Sequence, residues 1–334
     1  MYSSMTKLLF DALTPKQARI AAVLHLEGAK RGVEIVITCR EYMHVGDMLR
    51  LYGVPHRCIG KYGVSLYEKL VFGLERQREL ADIGAGVDAM LGFPSPDAAR
   101  VIFGLGKPLI ILNDTPHAAH VNRLVIPLSE VLISPAAVPE EAWRGYCPKK
   151  IVFFNGVFEY MWVSRFVPDA EAVRRLGLSP GTYVVFRPEE AHAAYYKWSY
   201  AEVRMRLIKE LKEMGYVVVN VPRYPDQVIE GVVNITEAVD HLQLAYFSAG
   251  VITGGASMAT EAALLGVPAL SYFPGSYYVD KYLVEMGAPL YRCKELDSCL
   301  KAVRVMLQTG KTAPPKLEDP TQLILKVAEE VLSA

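Results

Sequence analysis

The segment with the clearest capacity for chemistry runs from Val251 to Ser271. Its pattern predicts a strand, a tight turn at Gly254 and Gly255, a helix that ends at Gly266, and a second strand. Two consecutive glycines allow a backbone to turn sharply and to approach a ligand closely. The first amides of a helix have no partner within the helix and carry partial positive charge. The segment therefore predicts a phosphate-binding turn.

The residues after the two glycines extend this hypothesis. Ser257 could cap the helix and offer its hydroxyl to a phosphate, together with the backbone of Ala256 and Met258. Glu261 lies about one turn into the helix, where its carboxylate could accept two hydrogen bonds from a diol such as a ribose. The alternative is an ordinary turn in which the glycines serve only packing. Neither the Gly-x-Gly-x-x-Gly dinucleotide motif nor the P-loop motif occurs in the chain.

A second polar segment follows the predicted strand Pro108–Asn113. It contains Asp114, His117 and His120, and the first two could take a proton from a hydroxyl or from a sugar carbon. One alternative is a helix N-cap formed by Asp114 or Thr115, with the histidines on a solvated face. Another is a metal site formed by Asp114, His117 and His120. Because no dedicated metal motif is present, we expect no metal.

Arg187 ends another predicted strand, Tyr183–Arg187, and its guanidinium could pair with a diphosphate. Glu189, Glu190 and His192 follow in the same loop, and Glu190 is a candidate for proton transfer. Loops at the ends of strands are where α/β proteins place functional groups. The alternative is a surface turn with a local ion pair.

Two further turns hold candidates for contact with a sugar. In the first strand-to-helix turn, Thr14 could cap the helix while Lys16 reaches a phosphate or a sugar, although capping alone also explains this sequence. After the predicted strand that follows the glycine helix, Tyr278, Asp280 and Lys281 stand in a polar, aromatic loop.

The elements that position these residues alternate between short apolar runs and amphipathic stretches. Such alternation predicts an α/β protein with parallel sheets and helices on both faces. The pattern occurs twice, so we expect two doubly wound, Rossmann-like domains at 1–148 and 149–318, and a terminal helix at 319–334 that could pack back on the first domain. Ligands bind at the carboxyl ends of such strands and favour domain interfaces, so the expected site is a cleft that the two domains face.

Composition excludes several classes of protein. The 334 residues carry 36 Lys and Arg against 36 Asp and Glu, a balance that argues against nucleic acid as a partner. The five cysteines show no Cys-x-x-Cys spacing, so we expect reduced thiols rather than a disulfide scaffold or a structural zinc site. No apolar run is long enough for a transmembrane segment, and no signal peptide is apparent, which predicts a cytoplasmic protein. Peripheral membrane contact and the oligomeric state stay open.

Several of these motifs resemble those of known families. Thr253–Leu270 resembles the carboxyl-domain signature of GT-B glycosyltransferases and of the non-hydrolysing UDP-N-acetylglucosamine 2-epimerases. The whole chain also resembles a GT-B-like microbial family catalogued as a domain of unknown function. Its shared elements are Phe10–Lys16, Thr38–Tyr42, Asn113–His117 and Arg187–Glu190.

The resemblance implies a function as well as a fold. It implies that the diphosphate of a nucleotide sugar lies at the start of the glycine helix and that the ribose lies on Glu261. The epimerases carry a Glu in place of Asp114, a further Glu near His120 and an Arg in place of Thr14, and these differences favour sugar transfer over epimerisation.

We therefore expect a metal-independent glycosyltransferase that needs no cofactor. Its substrates would be a nucleotide sugar with UDP as the expected nucleotide and an unidentified acceptor, with Asp114 or His117 as the base and Arg187 assisting the leaving diphosphate. The alternatives are an epimerase in which Asp114 and Glu190 move protons, and a nucleotide-sugar-binding protein without turnover.

Overall fold

The computed structural model describes residues 5–42, 44–189, 201–237, 239–273, 275 and 278–333 of the chain. The chain divides into two compact units. The first consists of Met1–Trp162 and Leu317–Ala334, and the second of Val163–Lys316. Each unit is built on its own parallel sheet.

The sheet of the first unit has seven strands in the order β3-β2-β1-β4-β5-β6-β7, all of them parallel. The strand bounds are β1 Thr6–Ala12, β2 Val33–Glu41, β3 Arg57–Lys61, β4 Ala89–Gly92, β5 Leu109–Leu112, β6 Val131–Pro135 and β7 Ile151–Phe154. The order reverses direction between β1 and β4, which is the position where doubly wound sheets open a crevice for ligands.

The sheet of the second unit has six parallel strands in the order β10-β9-β8-β11-β12-β13. The strand bounds are β8 Tyr183–Arg187, β9 Val217–Asn220, β10 Val233–Asn234, β11 Gly250–Thr253, β12 Ala269–Ser271 and β13 Leu290–Arg292. The reversal falls between β8 and β11. The predicted α/β class with two Rossmann-like sheets is therefore confirmed.

Helices alternate with the strands in both units. Their bounds are α1 Pro15–Ala29, α2 Val45–Leu51, α3 Leu66–Ala85, α4 Pro96–Gly104, α5 Ala119–Val125, α6 Glu141–Arg144, α7 Tyr160–Val163, α8 Ala170–Arg174, α9 Ala201–Glu213, α10 His241–Phe247, α11 Ser257–Leu264, α12 Tyr278–Glu285, α13 Leu296–Thr309 and α14 Thr321–Ser333. None of the helices in the described ranges combines the length and the apolar character needed to span a membrane.

The first unit extends past residue 148, where the sequence suggests a domain boundary. Strand β7 pairs with β6 in the first sheet, and the compact units divide only after Trp162. Helix α14 returns to the first unit and packs on α1. There the Arg31 guanidinium donates to the Glu329 carboxylate at 2.6 and 2.9 Å.

A buried ion pair ties the first sheet to its helices. Asp11, at the end of β1, is fully buried, and both of its oxygens accept hydrogen bonds from Arg76 of α3. Thr38 and Ser95 donate to the same carboxylate at 2.7 and 2.6 Å. Arg76 also donates from Nε to the Ile59 carbonyl of β3 at 3.0 Å. The pair thus has the additional hydrogen bonds that a buried pair of charges requires.

The expectation of reduced thiols is wrong for four of the five cysteines. Cys39 is bonded to Cys58 and Cys293 to Cys299, and only Cys147 is a free, exposed thiol. The cause is strand register: Cys39 on β2 lies directly opposite Cys58 on β3, with their Cα atoms 4.3 Å apart. In the sequence these two residues are 19 positions apart, so their spacing gives no sign of the pairing.

Replacing Arg76 with methionine tests the buried pair. The variant Arg76→Met leaves the Asp11 carboxylate buried without a compensating charge, so we expect the free energy of unfolding to fall by about 3–5 kcal/mol. Urea unfolding followed by circular dichroism measures this change.

The matched control is Arg57→Met, which removes an exposed pair with Glu79 whose side chains are 62% and 50% accessible. This control is expected to cost less than about 1 kcal/mol. Equal losses for the two variants would contradict the role assigned to the buried pair.

Candidate functional site

The first unit places Lys16 at the start of α1. Thr14 has an extended backbone, and its hydroxyl accepts a hydrogen bond from the Gln17 amide at 3.3 Å. The Gln17 side chain in turn accepts a hydrogen bond from the Leu13 amide at 2.7 Å. Pro15 occupies the first turn of the helix. The capping explanation for Thr14 therefore holds. The cap fixes the direction in which the helix leaves the end of β1.

Lys16 does not point into solvent but lies between two carboxylates. Its ammonium donates to Asp114, which follows β5, and contacts Glu159, just before α7, at 2.7 Å. The three side chains are 18%, 7% and 4% exposed. The ammonium also stands 5.7 and 5.9 Å from the ring centres of Phe93 and Phe158, within range of a cation–π interaction.

The loop that carries Asp114 is held by its own hydrogen bonds. The Asn113 side chain accepts from the Thr115 amide and donates to Asn122, both at 2.9 Å. Asn122 donates to the Thr115 carbonyl at 3.0 Å, and Tyr146 donates to the Pro116 carbonyl at 2.5 Å. Asp114 accepts from the Thr115 hydroxyl at 2.9 Å, which leaves its other oxygen for Lys16. Such bonds restrict the rotamer of the carboxylate, as a site for proton transfer requires.

The cluster holds one positive and two negative charges when all its groups are ionised. Burial alone would lower the pKa of Lys16, but the two carboxylates outweigh burial and raise it. Burial raises the pKa of Glu159, and the Asp114 charge adds to this, while Lys16 acts in the opposite direction. Among the described residues, Glu159 Oε2 has no hydrogen-bond partner although it is buried. This oxygen is therefore a place where a proton or a donor from a ligand would be stabilised.

His117, in the same loop, and His120, in the first turn of α5, are both exposed. Burial lowers the pKa of His117, and the Asp114 charge works against that shift. In the part of the chain that the structure describes, Asp114, His117 and His120 do not gather closely enough to share a metal ion. Ala118, not Asp114 or Thr115, occupies the N-cap position of α5. The N-cap alternative is therefore wrong for Asp114 and Thr115, although the solvated position that it gives the histidines is confirmed.

In the second unit, the glycine turn lies where the strand order reverses, between β8 and β11. The Gly254 amide donates to the Arg187 carbonyl at 3.0 Å across this point. A Cβ atom at Gly254 would lie 2.5 Å from the Glu189 Cα atom, so no other residue fits without moving the backbone. The glycine allows the two loops to pack directly against each other.

Helix α11 begins at Ser257, directly after this turn. The predicted cap by Ser257 is wrong, because Ala256 occupies the N-cap position and has no side chain that can accept a hydrogen bond. Ser257 is instead the first helical residue, and its side chain is exposed. A helix start that no side chain caps leaves its amides for water or for an anion.

A residue that the sequence analysis missed, Arg223, lies beside the turn. A Cβ atom at Gly255 would stand 2.8 Å from Arg223 Nη2, and Arg223 Nε donates to the Pro188 carbonyl at 3.0 Å. A guanidinium and an uncapped helix start therefore lie together, both favourable to an anion. The available signal was its position in the loop after β9, next to β8 in the sheet.

The remaining candidates of the glycine region are more enclosed. Arg187 is half-buried, and its Nη1 lies 3.5 Å from the Val221 carbonyl. Glu261 is only 5% exposed. Glu189 accepts from Arg204 at 3.1 Å and from the Tyr272 hydroxyl at 2.8 Å, so its carboxylate holds the loop in place. The backbone of Met258 lies in the first turn of α11. Glu190 and His192 lie outside the described residues.

The three sugar-contact candidates of the second unit occupy the first half of α12. Asp280 is buried and pairs with Arg292, which also donates to the Phe273 carbonyl at 2.9 Å. Tyr278 is 46% exposed. Lys281 is exposed and stands 3.8 Å from Glu285, one turn further along the helix. Asp280 thus stabilises the loop after β12, while Tyr278 offers an accessible ring.

Comparison with solved structures identifies the fold class. A crystal structure of Methanocaldococcus jannaschii UDP-GlcNAc 2-epimerase in complex with UDP-GlcNAc and UDP superposes with a TM-score of 0.74 at 12% identity, covering 97% of this chain and all of that one. The spinosyn forosaminyltransferase SpnP superposes with a TM-score of 0.59 at 16% identity, covering 98% and 96%. The fold is that of the GT-B class.

The family follows from sequence. The chain belongs to the protein family of unknown function DUF354, whose profile matches residues 19–333. It is 29% identical over 312 residues to the uncharacterized protein MJ0665 of Methanocaldococcus jannaschii, covering 89% of this chain and 90% of the relative. The expected resemblance to a GT-B-like family of unknown function is confirmed.

Replacing Lys16 with methionine tests the charge balance of the first site. In Lys16→Met the two buried carboxylates lose their shared cation, so we expect the free energy of unfolding to fall by about 3–5 kcal/mol near neutral pH. Without Lys16, the pKa of Glu159 in the folded state lies still further above its ordinary value of 4.5. The folded variant then binds more protons than the unfolded chain, and its stability falls as the pH rises above that value.

Urea unfolding at about pH 5 and about pH 8 measures this loss, which is expected to be larger at the higher pH. The control is Lys7→Met, which removes an exposed pair with Glu34 at 3.1 Å. If the loss of unfolding free energy in Lys16→Met is the same at both pH values, the proposed charge cluster is contradicted.

Proposed function

We propose that the chain is an enzyme that binds a nucleoside diphosphate sugar, with UDP as the nucleotide, and transfers the sugar to an acceptor hydroxyl. The observation that carries the proposal is the turn at Gly254 and Gly255, which leads into the uncapped start of α11 beside the Arg223 guanidinium. The fold that the chain shares with UDP-sugar enzymes adds support.

The binding part of the proposal rests on charge and access. A diphosphate needs several donors and positive charge, and the amides at the start of α11 supply the donors. Arg223 supplies a fixed cation beside them, and Arg187 contributes a second at the end of β8. Glu261 would accept from the ribose hydroxyls, as the family resemblance implies. Because helix and guanidinium groups can offset the charge of the diphosphate, the proposal needs no metal ion.

The chemical part of the proposal rests on the cluster of the first unit. The acceptor oxygen would attack the anomeric carbon, the bond from that carbon to the diphosphate would break, and the acceptor proton would pass to Asp114. Lys16 holds this carboxylate in place through its hydrogen bond. His117, in the same loop, is the second candidate for the base. Arg187 would stabilise the charge on the leaving diphosphate.

A second candidate function is epimerisation of the bound sugar. The specific observation in its favour is the pair of carboxylates, Asp114 and Glu159, on either side of Lys16. Two acidic groups on one site could remove and return protons at a sugar. Glu190, the partner that the sequence suggests for Asp114, lies outside the described residues, whereas Glu159 stands on the other side of Lys16 from Asp114.

Calorimetric titration tests nucleotide binding. We expect UDP to bind more tightly than UMP, because only the diphosphate reaches both the helix start and Arg223. In Arg223→Met the affinity for UDP should fall about tenfold or more, as expected for loss of one charged hydrogen bond.

The control variant is Arg206→Met, in which an exposed arginine of α9 is replaced. It should bind UDP as the wild type does. If the wild type binds UDP and UMP with equal affinity, the proposed diphosphate site is contradicted.

Turnover separates the candidate functions. Purified protein is incubated with UDP-N-acetylglucosamine, with and without a panel of acceptors, and the products are identified by NMR. Transfer that requires an acceptor supports the first function, whereas the manno epimer formed without acceptor supports the second. In Asp114→Asn we expect turnover to fall by about 10²- to 10⁴-fold while UDP binding persists. Binding without any turnover across the panel would favour a non-catalytic binding protein.

A further inference from the structure

We propose that Cys39, Cys58 and His56 form a metal site that opens when the Cys39–Cys58 disulfide is reduced, and that its ligand is a divalent ion of the zinc type. The proposal concerns the edge of the first sheet and is independent of the proposed function. Within the described ranges, these residues form the only group of His, Cys, Asp or Glu side chains placed closely enough to share an ion.

The backbone already places the three ligands. Cys39 and Cys58 are register partners on the parallel strands β2 and β3, and His56 immediately precedes β3. One ligand atom from each residue lies within 4.8 Å of the others. A tetrahedral ion with bonds of about 2.0–2.3 Å to nitrogen and sulfur needs its ligand atoms to lie within this range. The reduced sulfurs need only separate by side-chain rotation.

The tautomer of His56 suits a ligand. Its Nδ1 lies 2.9 Å from the Val54 carbonyl, a contact in which the ring nitrogen donates. The lone pair is then on Nε2. A metal-bound histidine characteristically donates its other N–H to a carbonyl or a carboxylate, which fixes the ring and raises the basicity of the ligand.

A glycine keeps the space beside these ligand atoms open. A Cβ atom at Gly46 of α2 would lie 3.0 Å from Cys58 Sγ and 3.9 Å from His56 Nε2. Sulfur and nitrogen therefore face the same gap. Arg50 Nη1 would lie 3.5 Å from that Cβ, and its charge is offset by its ion pair with Asp47.

A dithiol is the reductant that opens the Cys39–Cys58 disulfide. The dithiol transfers two electrons and two protons to the Cys39–Cys58 bond and becomes a disulfide itself. The two thiols then lose their protons as the ion binds, and His56 binds as the neutral ring. Two thiolates and one imidazole leave a fourth position for water or a further ligand. The oxidised pair has no thiolates, so the ion has no site before reduction.

The test uses cobalt as a spectroscopic probe in the full-length protein. Cys147→Ser removes the free thiol and serves as the background, so that only the two disulfide pairs remain. The protein is reduced with a dithiol, desalted without oxygen and titrated with Co²⁺. We expect one equivalent to bind with thiolate-to-metal charge-transfer absorption, and Zn²⁺ to displace it. The oxidised protein should show no such absorption.

The second disulfide provides an internal control. Cys293→Ser with Cys299→Ser, in the second unit, should leave cobalt binding unchanged, whereas Cys39→Ser with Cys58→Ser should abolish it. His56→Asn keeps both cysteines and should weaken binding on the order of 10- to 100-fold. This variant remains informative if the double serine variant fails to fold.

Three results would overturn the proposal. The first is a reduced background protein that binds no cobalt through thiolate. The second is equal binding by the oxidised and reduced proteins. The third is His56→Asn binding as tightly as the background, which would show two cysteines acting without the histidine.

Discussion

The interaction on which the candidate site depends is the placement of one ammonium, that of Lys16, between two buried carboxylates. Three separate pieces of chain supply these groups: the start of α1, the loop after β5 and the residues before α7. Removing Lys16 leaves two buried carboxylates with no cation to offset their charge, which the interior cannot solvate. The cluster therefore fixes the three segments relative to one another. Within the described part of the chain, one oxygen of the cluster, Glu159 Oε2, is buried without a hydrogen-bond partner.

The two units use the same topology to create opposite electrostatic environments. In the first unit, polar groups near the reversal of strand order carry an excess of negative charge around Asp114 and Glu159. In the second, the corresponding position holds the helix start of α11 and the guanidinium of Arg223. A parallel sheet supplies loops at its carboxyl edge but does not specify their charge. The side chains after each strand decide whether a unit is suited to an anion or to a proton transfer.

Features that depend on neighbouring residues can be predicted from the sequence, whereas features that depend on contacts between distant residues cannot. The strand, glycine turn and helix at 251–265 are local, and the structure has the helix at Ser257–Leu264, within one residue of the expected position. Glu159 and Arg223 could not be found this way, because their importance comes from contacts with residues far away in the chain. Strand β7, Ile151–Phe154, lies just past the boundary expected after residue 148, and its pairing with β6 depends on contacts that the sequence does not show. The pairing of Cys39 with Cys58 depends on strand register, which spacing does not encode.

The likeness to the solved GT-B structures extends over nearly the whole chain at 12–16% identity, so what the chain shares with them is the fold. Buried apolar residues and strand order define such a fold, and many sequences satisfy both requirements. Catalysis instead depends on a few polar groups whose identity can change without affecting the core. Here the strand ends carry Thr14, Asp114 and Glu159 in one unit and Arg187 and Arg223 in the other. The activity must follow from these side chains. Under the proposed function, the arginines of the second unit suit an anion and the carboxylates of the first unit suit a proton transfer.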